Sequence, residues 1–384
     1  MDAEYLTNPL NRRKKKYKYY LRKLENIIKK FLIYLFLLPL SLPSFLINCY
    51  AKHKFYFKDF FNQNAVVFIV FILKEKKNSK FLINLTDFHK AISRFGFFFI
   101  LKNFSLKINT NKVETISFLD KRSDYYFNQD YFYYFDKKLK ETDNNLVIPF
   151  YLPKNYYLKN TYKKYRKLIN SEKKFKIIFS GTAHDEWYGS LDFINNNNEK
   201  FLNRQSILNI TKEHYSNRII VINEQSELEK IESTKKDILI LETNPEKSLR
   251  KKNFLEQQHL DLISQSNFFL CMPGTSMPLC YHLIETCLVG TVPILSYNNY
   301  LSPQFSNDEA MTFFSKDDLL STINKALEID LDNYSIMQKK IINYYDKNFS
   351  PEGVYKKLLN KEYPLEIFIN LDHESTKKRE KRLS

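Results

Sequence analysis

The sequence predicts an α/β fold of two parallel-sheet domains, with a membrane-associated segment at its amino terminus. Three observations carry this. The second half alternates short, continuous apolar runs with helical patterns. The first half holds dense β-rich runs of its own, and a charge-free stretch at 31–51 follows a strongly basic leader. A length of 384 residues suits two core-bearing domains. Hydrophobic residues at 43% and charged residues at 27% exclude a wholly disordered chain. Six glycines and twelve prolines exclude collagen-like and linker classes. Sixty Lys and Arg against 43 Asp and Glu leave +17, a charge that attracts nucleic acid, anionic lipid or phosphorylated substrates.

From the amino terminus, residues 1–30 form a basic leader, with ten Lys or Arg and one Glu between 12 and 30. Residues 31–51 (FLIYLFLLPLSLPSFLINCYA) carry no charge. At a rise of about 1.5 Å per residue they are long enough to cross a hydrocarbon core of about 30 Å. Pro39 and Pro43 argue against a clean helix. An interfacial anchor on an anionic membrane surface fits equally. Both readings predict membrane association, on the cytoplasmic membrane face of a bacterium or on the Golgi membrane of a eukaryote. Glycosylation sequons such as those at Asn84, Asn103, Asn209 and Asn348 decide nothing in so Asn-rich a chain.

The region 52–155 reads as an amino-terminal α/β domain. Its strands are expected at 65–74, 80–85, 95–102, 113–120 and 147–153, each a short Phe-, Ile- or Val-rich run between polar clusters. A polar, basic, helix-like connector covers 156–175. The carboxyl-terminal domain, 176–346, has strands expected at 176–180, 218–222, 237–241, 267–272 and 291–295. Helical patterns lie near 199–213, 249–265 and 277–289. Continuous apolar strands separated by helices mean a parallel sheet covered on both faces. Ligands in such sheets bind at the carboxyl ends of the strands. Residues 347–384 read as a last helix and a solvated basic tail, KKREKR at 377–382.

The most informative segment is 267–296, NFFLCMPGTSMPLCYHLIETCLVGTVPILS. A strand is expected to end at Met272 and to turn through Pro273, Gly274, Thr275 and Ser276. Pro278 then suits the first turn of a helix. Gly290 sits where a helix stop needs positive φ. A turn leading into a helix presents free backbone N–H groups to an anion, Gly274 permits close approach, and the Thr275 and Ser276 hydroxyls add donors. Glu285, about two turns into the helix, offers a carboxylate to a ribose diol. Cys49, Cys271, Cys280 and Cys287 make no disulfide framework and read as buried thiols. His282 alone does not complete a zinc ligand set, so no metal site is expected.

The spacing Gly274-x10-Glu285-x4-Gly290-x2-Pro293 resembles the donor-binding half of the exostosin-like glycosyltransferases. That family typically has Phe-x-Leu-x-Pro-x-Gly, then Arg-x-x-Glu on a helix, then Gly-x-Val-Pro-Val. Here stand Phe269, Cys271, Pro273-Gly274, Glu285 and Gly290-Thr291-Val292-Pro293-Ile294. His282 stands where the family usually has Arg, and an imidazole lacks the guanidinium's permanent charge and fork. Ser180-Gly181-Thr182 matches the family's first turn of this half, and Arg204 on the next helix is placed to face a diphosphate. Val147-Ile148-Pro149-Phe150-Tyr151 is similar to the family's strand before the connector. The resemblance is specific over 175–300 and suggestive over 113–155.

The resemblance implies two Rossmann-like domains of the glycosyltransferase B type facing a cleft. It implies inverting transfer of a sugar from a nucleotide-diphosphate donor to a glycan or lipid-linked acceptor. Gly181, Arg204, Pro273, Gly274, Thr275, Ser276, His282 and Glu285 would bind the donor. The nucleotide sugar is then a co-substrate and no further cofactor is expected, with metal dependence left open. Inversion needs a base beside the acceptor hydroxyl. His184, Asp185 and Glu186 after the Gly181 turn are candidates, as are Asp120 and Asp124 at a strand end of the first domain; Asp124 and Asp185 are the preferred pair. The alternative is a non-catalytic, membrane-associated glycan-binding or scaffold protein of the same fold, which the His282 substitution keeps open. No nucleic-acid partner is expected, because no recognition motif accompanies the charge.

Overall fold

The structure is a computed structural model that describes residues 53–59, 62–77, 79–84, 103–106, 113–159, 161–182, 200–223, 227, 237–243, 256–274, 277–371 and 373–383. The basic leader, the apolar segment 31–51 and the β-rich run 95–102 lie outside them. Among the described residues no helix is long and apolar enough to cross a membrane. By contacts the chain divides into two units, residues up to 60 with 76–115, and 61–75 with 116–384.

The first unit holds strands β1 (His53–Phe57), β2 (Ser79–Ile83) and β3 (Phe104–Leu106). They pair in parallel, Phe55 opposite Phe81 and Phe81 opposite Phe104. Phe55, Phe57, Phe81 and Phe104 are buried with ring centroids 5.7–6.1 Å apart. Much of the apolar payload here is therefore aromatic.

The second unit opens with a correction. Residues 65–74, expected as a strand, lie in helix α1 (Gln63–Lys74). Asn62 caps it, its side chain accepting from the N–H groups of Asn64 and Ala65 at 2.9 and 3.2 Å. Ala65 to Val70 are buried in unbroken succession. A helix covered on all sides shows no amphipathic period, and only its length separates it from a buried strand.

Strands β4 (Glu114–Ser117), β5 (Tyr125–Asn128) and β6 (Asn145–Ile148) come next, with helix α2 (Tyr131–Asp136) between the last two. Short helices α3 (Lys154–Leu158) and α4 (Thr161–Tyr165) lead to the second sheet. Its strands are β7 (Phe175–Thr182), β8 (Ile219–Ile222), β9 (Ile238–Thr243), β10 (Ser266–Cys271), β11 (Val292–Leu295) and β12 (Met311–Thr312). The intervening helices are α5 (Arg204–His214), α6 (Glu256–Ser264) and α7 (His282–Leu288). The strand order is β12-β11-β10-β7-β9-β8, and every registered pair is parallel. All six residues of β10 are buried, as a strand covered on both faces requires. After β7 the chain builds β8 and β9 on one side, then crosses to β10 on the other. The switch point lies between β7 and β10, where open α/β sheets form their ligand crevice.

Helices α8 (Lys316–Glu328), α9 (Leu331–Asn348) and α10 (Pro351–Leu358) complete this half. Beyond α10 the chain is not the solvated tail expected. Strand β13 (Leu365–Ile369) runs between β5 and β6 and parallel to both, with Ile367 opposite Phe127 and Leu146. Helix α11 (His373–Leu383) carries the basic residues. Its Arg379 and Arg382 reach Asp136 at 3.0 and 2.6 Å, and Arg382 also reaches Asp130 at 2.8 Å. Parallel α/β sheets, the fold class expected, are present in both halves of the chain.

Candidate functional site

Strand β10 ends at Cys271, and the chain turns through Met272, Pro273 and Gly274. A Cβ on Gly274 would lie 2.9 Å from the Leu279 carbonyl oxygen and 3.0 Å from that of Met277. Both are backbone atoms, so the turn closes only around glycine. At the carboxyl end of β7, a Cβ on Gly181 would lie 2.9 Å from Cε1 of His282. Both glycines thus serve the protein's own close packing, and Gly181 is what lets His282 reach the strand end. Helix α7 starts at His282, four residues beyond Pro278, and Glu285 falls in its first turn. Gly290 has φ of +69°, the left-handed stop expected of it.

Arg204 opens helix α5 and is 3% exposed. Its Nε and Nη2 donate to the Pro273 carbonyl at 3.1 and 2.8 Å, and Nη1 donates to the Thr182 carbonyl at 2.8 Å. Nη2 also lies 3.5 Å from Cys280 Sγ. The guanidinium therefore ties the turn after β7 to the turn after β10. It is neither a solvated surface group nor a fork directed wholly at a ligand.

Glu285 is buried on the same side. Its Oε1 accepts from the Tyr156 hydroxyl at 2.9 Å, and Oε2 lies 3.3 Å from Nε2 of His259. His259, on α6, places Nδ1 3.4 Å from the Ser180 hydroxyl of β7. The His259 and His282 rings are 5.1 Å apart. Burial pushes the Glu285 carboxyl up, but His259, His282 and the Tyr156 hydrogen bond outweigh it and leave it below the ordinary value. Burial lowers His282, yet Cys280 and Glu285 beside it win and raise it. Burial raises the Cys280 thiol, but His282 and Arg204 bring it down to about 6. Cys280 is thus not the inert buried thiol expected, whereas Cys271 and Cys287 are buried and pushed well up. Together the groups can accept hydrogen bonds from hydroxyls and stabilise negative charge. Nitrogens of His259 and His282 and a carboxylate oxygen of Glu285 also lie within 4.8 Å of one another.

Of the residues expected from sequence, Gly181, Arg204, Pro273, Gly274, His282 and Glu285 come together. Thr275, Ser276 and Asp185, with His184 and Glu186, lie outside the described residues. Asp124 stands at the amino end of β5, its carbonyl accepting from the Leu365 N–H at 2.9 Å. That is the opposite end of the strand from the one where ligands gather. Asp120 is engaged locally, its Oδ1 accepting from the Arg122 N–H at 3.0 Å. Sequence reasoning missed His259 and Tyr156, and named Ser180 only as part of the turn at Gly181. His259 lies beside the buried Leu260 of a helix, and only tertiary packing directs its ring at Glu285.

No family model and no curated protein matches the chain. Among solved structures it is similar to an alpha-glucosyltransferase in complex with UDP and a 13-mer DNA, at 10% identity and a TM-score of 0.39, over 80% of this chain and 97% of that one. It is also similar to Anabaena HepE in complex with UDP and glucose, at 7% identity and 0.36, over 80% and 98%. A Rickettsia africae glycosyltransferase gives 11% identity and 0.39, over 81% and 97%. Likenesses this distant say nothing about what this chain binds.

Proposed function

We propose that the chain is an inverting glycosyltransferase that moves a sugar from a nucleotide-diphosphate donor to a glycan or lipid-linked acceptor at a membrane surface. The observation that carries this is the buried polar cluster at the β7/β10 switch point. It combines a carboxylate, two imidazoles and a thiol at the carboxyl ends of a parallel sheet, together with the residue spacing from Gly274 to Pro293. In this reading Glu285 accepts from the donor's ribose hydroxyls through lone pairs that Tyr156 and His259 leave over. His282 faces the diphosphate as a cation in place of arginine. The turn of Pro273, Gly274, Thr275 and Ser276 lies against the phosphates. Arg204 acts as a positioning residue, holding that turn to the end of β7, and Gly181 makes room for His282.

The acceptor hydroxyl must lose its proton as the diphosphate leaves from the opposite face of the sugar. Asp185, shortly after the end of β7, is the proposed base. Asp124 is not carried into the reading, since it sits at the amino end of its strand. The basic leader and the apolar segment 31–51 support the membrane surface as the place of reaction.

The test is turnover: the full chain, with membranes and a panel of nucleotide sugars, assayed for release of nucleoside diphosphate. Release that Asp185→Asn lowers by at least about a hundredfold supports the reading, within the usual worth of a general base. A chain that binds nucleotide sugar and releases nothing points to the non-catalytic alternative.

A further inference from the structure

We propose that His259, His282 and Glu285 form a site for one divalent transition-metal ion of the zinc type. The ligand set comes from two neighbouring helices. His282 and Glu285 are spaced i, i+3, which puts them on one face of α7. His259 comes from α6, and its ring is tilted against that of His282 with centroids 5.1 Å apart. Two imidazoles and a carboxylate are the donors borderline-soft ions take, in sites that keep one position open.

The spacing fits. Bonds of about 2.0–2.2 Å to nitrogen and oxygen put adjacent ligand atoms about 3.3–3.5 Å apart around a tetrahedral ion. His259 Nε2 and Glu285 Oε2 already stand 3.3 Å apart. The full set lies within 4.8 Å, a gap that small side-chain rotations close. The outer contacts metal sites rely on are also present. Tyr156 donates to the other carboxylate oxygen at 2.9 Å, and the Ser180 hydroxyl lies 3.4 Å from His259 Nδ1. One buried nitrogen of the set has no well-formed hydrogen bond among the described residues: His282 Nδ1, on a ring that interacts with the Cys280 thiol. The inference stands without the donor reading, although it shares two residues with it. If both hold, His282 is a neutral ligand, the ion supplies the positive charge in place of an imidazolium, and a diphosphate oxygen takes the open position.

The test uses the full chain, stripped of metal by a chelator and free of nucleotide. Zinc is titrated in competition with a chromophoric chelator, and cobalt is added separately to report coordination geometry by its absorption. One ion per chain is expected, with a four-coordinate cobalt spectrum. His259→Ala and His282→Ala should each weaken zinc by at least about tenfold, and His214→Ala, an exposed histidine on α5, should not. His259→Gln can still donate a hydrogen bond to Glu285 but is a poor ligand. It should melt as the metal-free wild type does and lose the ion, which separates a metal role from a folding role. No stoichiometric ion in the wild type, or unchanged affinity in the His259 and His282 variants, overturns the inference. A chain that binds nucleotide sugar and no ion defeats this inference alone; one that binds the ion and no nucleotide sugar defeats the proposed function alone.

Discussion

The sheet formed by β5, β13 and β6 and the sheet running from β12 to β8 are both parallel, yet their carboxyl ends are filled differently. At the end of β5, Asn128 donates to Glu366 at 2.7 Å, and just past it Gln129 donates to the Phe118 carbonyl at 3.0 Å. Asp130 and Asp136 are taken by Arg379 and Arg382. Those polar groups are spent on closing the chain's own carboxyl terminus. At the ends of β7 and β10, Arg204 ties the two turns together. Glu285, His259, His282 and Cys280 gather beside it in a largely buried place. Polar side chains at strand ends are first a means of satisfying turns and caps. Chemistry is to be looked for where more of them gather than the turns require.

The contrast can be broken most severely at the terminus. Removing residues 363–384 takes away β13, whose Leu365, Ile367, Phe368 and Ile369 are buried. At about 1.5–3 kcal/mol for each such side chain, the loss matches the whole stability of an ordinary domain. The β5–β6 region should lose cooperative melting and amide protection, read by circular dichroism and hydrogen exchange. Next is Arg204→Met, which keeps the apolar stem and strips the bonds to Pro273 and Thr182. Hydrogen bonds to a charged group contribute about 1.5–3 kcal/mol each, so a loss of about 3–5 kcal/mol is expected in denaturant unfolding. Arg382→Ala should cost less, about 1–2 kcal/mol, because its two pairs are only partly buried, and the difference should shrink in high salt.

The smallest effect touches reactivity and leaves the fold alone. In the chelator-treated chain at pH 7, Cys280 should be alkylated well before Cys271 and Cys287, since its thiol is brought down to about 6 and theirs are pushed up. The thiolate is the reactive form, so the rate should fall as pH drops through about 6. His282→Gln removes the neighbouring imidazole, raises the thiol's pKa and should slow labelling at pH 7. Peptide mass spectrometry reads these three cysteines at once.

Much of the carboxyl-terminal sheet was legible because each strand is a continuous apolar run between helices, and Gly290 was legible because its stop needs positive φ. The helix at 63–74 was not, since burial on every side erases the period that distinguishes helix from strand. Strand β13 (LEIFI) was hidden by distance: its partners at 125–128 and 145–148 lie far upstream, and nothing local says that a late apolar run is central. Arg204 was legible as a residue, but its bonds to the Pro273 and Thr182 carbonyls were not, because carbonyl partners carry no sequence signal. His259 and Tyr156 converge on Glu285 from separate helices, so only the fold reveals them.

In the proposed function the cluster around Glu285 holds a nucleotide-sugar donor. Calorimetry with a panel of nucleotide sugars tests it most directly, on the full chain and on Glu285→Gln, with melting recorded in the absence of ligand to show that the variant folds. The account predicts that at least one donor binds the wild type and binds the folded variant at least about tenfold more weakly, or about 1.4 kcal/mol. Equal affinity in the two chains, or no donor that binds the wild type, would contradict it.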